Sequence, residues 1–144
     1  MRAVLFAALL LASCAQAGGA PAAPTSSAAL PEEYSANLSR LDQELRMPGI
    51  VAVGIGETAD LGDGLRVRPI EVVQDSRCPA NVDCVWAGVL RVRVAVAGDG
   101  ERVIALREPA TASRGAFVLE VVSPSRWSPQ PEPGRPYRFG FRRV

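Results

Sequence analysis

Between Pro31 and Val144 the spacing of apolar positions changes once, from a helical repeat to a strand repeat. Tyr34, Leu38, Leu41 and Leu45 recur at intervals of three and four residues, which predicts an amphipathic helix over 32–46. Pro31 suits a first helical turn, Glu32 and Glu33 complement the positive end of the helix dipole, and Pro48-Gly49 stops the element. Beyond Gly49 the period becomes two, predicting a β domain over 49–144. Ile50 to Ile55 is a short apolar run, and Leu65 to Gln74 follows a turn rich in Asp and Gly, with Pro69 marking an edge strand or a bulge. Val85 to Ala97 carries the strongest alternation, Val92, Val94 and Val96 against Arg91 and Arg93. Gly98-Asp99-Gly100 turns it back into a strand over 101–107, completing a hairpin. Further strands are expected over 115–122 and around Tyr137, Phe139 and Phe141. Six or seven locally connected strands predict an antiparallel β-sandwich or small barrel, with the helix at 31–48 as its one N-terminal addition.

Upstream the pattern is of another kind. Met1-Arg2 and the apolar run Ala3 to Ala12 have the form of a secretory signal, too short for a permanent membrane-spanning helix. Its end, Leu11-Ala12-Ser13-Cys14, resembles the lipobox of bacterial lipoproteins, whose Cys is lipidated and becomes the mature N-terminus. That resemblance implies a signal peptide over 1–13, lipidation of Cys14 and a membrane held through acyl chains. Ala15 differs from the Asp that resembles an inner-membrane retention signal, so in a diderm host the expectation is the outer membrane facing the periplasm. In a monoderm host it is the outer face of the single membrane. The alternative is an ordinary signal peptide cleaved near Ala15 or Ala17. From 14 to 30 the chain is Ala, Gly, Pro, Ser and Thr with hardly another residue type, a composition expected to act as a flexible tether.

Charge removes whole classes of function. The chain has 16 basic and 15 acidic residues, so it lacks the basic excess of a nucleic-acid binder. All the basic residues are Arg, and there is no His and no Lys. Nucleophile pairs built on His, Lys-based Schiff chemistry and Lys-dependent phosphate loops are therefore excluded. Zinc sites lose their usual nitrogen ligand, and no cofactor or metal motif is present, although hard cations on oxygen ligands stay open. Carboxylate acid and base chemistry by Glu57, Asp75, Asp83, Glu101 or Glu120 is a third-ranked possibility, because about 100 folded residues rarely enclose a sugar-binding cleft.

With Cys14 assigned to the export signal, Cys78 and Cys84 form an even pair in an oxidising compartment, and a disulfide is expected. Their spacing fits neither a metal site nor a two-residue redox motif. Asp75, Arg77, Asn81 and Asp83 are either a polar binding site or an Arg and Asp brace for the loop, the brace being preferred. Trp86 is expected in the core, covering the disulfide. In the stretch from Ser123 to Pro136, five Pro surround Trp127. Trp127 is either the anchor of a recognition loop or a plug for the sandwich end, and the second is preferred. The candidate binding loop thus comprises Asp75, Arg77, Asp83 and Trp127.

The run Asp75-Ser76-Arg77-Cys78-Pro79 followed by Asp83-Cys84-Val85-Trp86-Ala87-Gly88 resembles a recurrent signature in small, uncharacterised bacterial exported proteins and lipoproteins. The resemblance spans Ile50 to Val144, does not include the helix, and implies no named activity. The resulting expectation is a lipid-anchored, non-catalytic binding or structural module of the cell envelope with a protein partner. An inhibitor of an extracytoplasmic protease or glycosidase is the alternative.

Overall fold

The computed structural model describes residues 31–127 and 135–144. The expectations for the signal peptide, Cys14, the tether and Pro129, Pro131 and Pro133 lie outside the described residues. One helix, α1 (Glu32–Glu44), precedes eight strands: β1 (Val51–Gly54), β2 (Ala59–Asp60), β3 (Arg66–Asp75), β4 (Leu90–Val96), β5 (Gly100–Ala105), β6 (Pro109–Ala112), β7 (Gly115–Ser123) and β8 (Arg138–Arg143). They form two four-stranded antiparallel sheets, ordered β1-β8-β7-β6 and β2-β3-β4-β5. The fold is mainly β, as the alternation requires.

The sheets meet through one apolar core. Val67, Val92, Val94, Val96 and Ile104 come from one sheet and Phe117, Leu119, Val122, Phe139 and Phe141 from the other. Each such side chain contributes on the order of 2 kcal/mol when fully withdrawn from water. Arg91 and Arg93 project from the opposite face of β4, as the period of two demands.

A register shift in β7 explains how the same sheet serves two cores. Between Leu119 and Val121 the pairing with β8 slips, so Leu119 faces Phe141 and Val122 faces Phe139 inside the sandwich, while Val121 pairs with Gly140. Val121 thereby turns outward and packs against Leu41 and Leu45 of the helical segment, with Ile50 and Ala52 alongside. Tyr34, Leu38, Leu41 and Leu45 are all buried, so the predicted stripe is the face laid on the domain. Gly140 is small by necessity there. A Cβ at this position would stand 2.4 Å from Val121 Cγ1 and 2.8 Å from Ile50 Cγ2.

Three expectations need correction. The helix ends at Glu44, and Leu45 to Gly49 forms turns. The described residues form eight strands rather than six or seven, because the two-residue β2 and the short β6, which begins with Pro109, carry too little alternation to be read. The strand expected from Val85 begins only at Leu90, since Gly88 at φ +68° turns the chain first. Pro69 marks the expected bulge in β3, where β4 pairs alongside from Val67 to Asp75 and β2 reaches only Arg66 and Val67.

Candidate functional site

The link from β3 to β4 is a stem carrying a closed loop. Ser76 and Val89 pair through the Ser76 N–H donating to the Val89 carbonyl at 2.8 Å, while Ser76 Oγ exchanges two further bonds with the Val89 backbone at 3.1 Å. The Cys78 N–H then donates to the Ala87 carbonyl at 3.0 Å. Only glycine fits opposite Ser76, because a Cβ on Gly88 would lie 1.8 Å from the Ser76 carbonyl oxygen. Beyond the stem, Cys78 and Cys84 form the expected disulfide, with their Cα atoms 5.9 Å apart. Closing so short a ring is worth about 2 kcal/mol by chain entropy.

The Arg and Asp brace lies beneath this loop. Arg77 Nε and Nη2 donate to the two oxygens of Asp75 at 2.9 and 2.7 Å. The same guanidinium donates to the carbonyls of Val122 at 3.2 Å and Pro124 at 2.8 Å, so it ties the loop to the end of β7. Tyr137, just before β8, donates its hydroxyl to Asp75 at 2.9 Å. Burial alone would raise the Asp75 pKa. The Arg77 bonds and charge and the Tyr137 hydroxyl outweigh it, holding the carboxyl below the usual range. Burial, and then the adjacent Asp75 carboxylate, push the Tyr137 phenol up. A cavity of about 160 Å³ lies at this junction, walled by Asp75, Arg77, Pro124, Arg126, Arg135 and Tyr137.

The segment after β7 is held from both sides. Arg126 donates to the Arg77 carbonyl at 3.2 Å and accepts the Ala80 N–H at 2.8 Å. Trp127 packs on Tyr34 of α1 with ring centroids 5.0 Å apart, and the Tyr34 hydroxyl donates to the Ser125 carbonyl at 2.8 Å. Trp127 therefore joins helix to crossover, and its half-buried ring is engaged within the molecule. Beside it, Ser125 Oγ donates to Asn37 Oδ1 at 2.6 Å.

Of the four residues read as one binding loop, Asp75 and Arg77 are brought together, Trp127 is reached through Arg126, and Asp83 stays exposed in the disulfide ring. The expectation that Trp86 is a core residue is overturned. Trp86 is 66 % exposed, and its neighbour Val85 is fully exposed. The reason is the position of Gly88 and the stem, which place both residues outside the strand ladder. Val82, within the ring, is 48 % exposed. Three large apolar side chains thus stand in water on one short loop, Val82 inside the ring closed by the Cys78–Cys84 bond and Val85 and Trp86 between that ring and the stem. Sequence reasoning missed this apolar tip, as well as the contacts that Tyr137, Tyr34 and Arg126 make around the loop. Only the adjacent Val85-Trp86 pair beside a cysteine gave a local signal for it.

Among the described residues no group of three or more His, Cys, Asp or Glu is placed to hold a metal ion, and no helix is long and apolar enough to cross a membrane. No protein-family model, curated protein or solved structure matches the chain.

Proposed function

We propose that this chain is a lipid-anchored binding module of the cell envelope that presents its disulfide-closed loop to a partner surface. The observation that carries the reading is the solvent-exposed set Val82, Val85 and Trp86 on a loop fixed by the Cys78–Cys84 bond, the Ser76–Val89 stem and the Arg77 brace. Exposed apolar side chains on a rigid support are what a contact surface needs. The apolar area supplies binding free energy, and little conformational entropy is lost on contact. The lipobox-like Leu11-Ala12-Ser13-Cys14 supplies the anchoring half of the proposal. Engaged carboxylates favour binding over acid and base catalysis: Asp75 is held by Arg77, Glu57 accepts the Gly54 N–H, and Glu120 pairs with Arg142.

Two measurements test it. Metabolic labelling with a radioactive fatty acid should mark the wild-type chain and not Cys14→Ser. Oxidative footprinting should find Trp86 protected in intact envelopes and reactive after detergent release; equal reactivity in both would remove the loop as the contact surface. The same rigid, convex loop also fits an inhibitor inserted into the active site of an extracytoplasmic hydrolase. Loss of inhibition in Trp86→Ala, against a panel of proteases and glycosidases, would identify that role.

A further inference from the structure

We infer that the surface met by Val82, Val85 and Trp86 is the lipid bilayer interface in which the chain is itself anchored; this rests on the anchoring reading above. Three observations point to it. The first is position. Pro31, where the described chain begins after the segment that follows Cys14, is three residues from Tyr34, and the Tyr34 hydroxyl bonds the Ser125 carbonyl. The next residue, Arg126, accepts the N–H of Ala80, which lies inside the disulfide ring. The anchored end of the domain and the apolar loop are therefore the same end. Covalent geometry lets the stretch from Cys14 to Pro31 extend at most about 60 Å, so the loop is confined to the neighbourhood of the bilayer that holds the acyl chains.

The second observation is chemistry. Trp is the side chain best suited to the boundary between headgroups and acyl chains, with an apolar body and one N–H donor, and two exposed valines, Val82 and Val85, precede it on the same loop. The third is charge. Arg77 at the foot of the loop is neutralised by Asp75, and the ring itself carries the single acid Asp83. Nothing in that loop favours an anionic surface, so insertion is driven by apolar contact and proceeds on a zwitterionic bilayer. Because the anchor makes the encounter intramolecular, a contact too weak to recruit a free protein suffices to orient a tethered one.

The test uses the lipidated protein reconstituted in phosphatidylcholine vesicles bearing nitroxide-labelled lipids, and vesicle flotation is recorded on the same samples. Wild type, Trp86→Phe and Trp127→Phe are compared, since the chain has 2 Trp. The expected result is loss and blue shift of Trp emission with a shallow label, retained in Trp127→Phe and abolished in Trp86→Phe, and unchanged when phosphatidylglycerol is added. A chain that floats while its Trp86 emission resists the nitroxide overturns this inference and leaves the anchoring intact. Protection of Trp86 in intact envelopes alongside that result assigns the loop to a protein partner instead. A chain that does not float removes the anchoring reading and this inference together.

Discussion

Arg77 grips Asp75 through both carboxylate oxygens, at 2.9 and 2.7 Å, and the same guanidinium reaches the carbonyls of Val122 on the other sheet and of Pro124 just beyond it. The pair is thus a four-bond bracket between the loop stem and the end of β7, with side chains only 15 % and 10 % exposed. Removing Arg77 leaves the Asp75 charge largely buried and takes a donor from two carbonyls. Arg77→Ala should destabilise the domain by about 3 kcal/mol. Arg77→Lys, which keeps the charge and loses the planar fork, should recover only part of that. Urea denaturation of the oxidised protein checks both values.

Acid should expose the same bracket. The folded pKa of Asp75 lies below its unfolded value of about 3.9, so the carboxylate contributes stability at all pH above that value. The contribution is lost as pH falls through the folded pKa. Asp75→Asn should therefore be less stable than wild type near neutrality, with the gap closing below about pH 4. Urea midpoints of the two proteins across the acid range give the answer, and a gap that stays constant would deny the shift.

The helix docks through an aromatic pair that separates two contributions. Tyr34→Phe removes the hydroxyl bond to Ser125 and keeps the ring against Trp127, so it should cost about 1 kcal/mol. Tyr34→Ala removes a fully buried ring and should cost about 3 to 5 kcal/mol. A Tyr34→Ala variant with unchanged Trp127 emission would contradict the packing.

At Gly140 a single methyl group would crowd the apolar cluster through which the helical segment meets the sheet. Its Cβ would meet Val121, Ile50 and Leu45 at 2.4, 2.8 and 3.1 Å. Gly140→Ala should cost about 1 to 3 kcal/mol by overpacking, and Gly140→Ala with Val121→Ala should regain part of that loss. Double-mutant thermal melts measure the coupling.

How far such relationships were legible depended on their range. Val92, Val94 and Val96 announce β4 and its buried face because their alternation is local, and Tyr34 to Leu45 announces α1 for the same reason. The brace of Asp75 by Arg77 was equally readable, since the two residues stand two apart. Tyr137 was not, because its hydroxyl meets Asp75 across 62 residues and nothing near either residue marks the meeting. Trp86 was misplaced because the apolar run from Val85 continues into a true strand, and what interrupts it is the three-dimensional fit of Gly88 against Ser76. The Glu120 region hid its outward turn of Val121, since a register shift is a property of two paired strands and neither sequence alone displays it.

The packing of α1 has a consequence for the order of events in a chain made from its N-terminus. The residues its side chains meet, Val121, Ser123, Ser125 and Trp127, lie some 80 to 90 positions downstream, and Gly140 further still. Among the described elements the helix is thus the first synthesised and the last to be housed. Until β7 and β8 have paired, its apolar stripe has no seat in the nascent molecule, and it must wait, exposed, for the final strand to arrive.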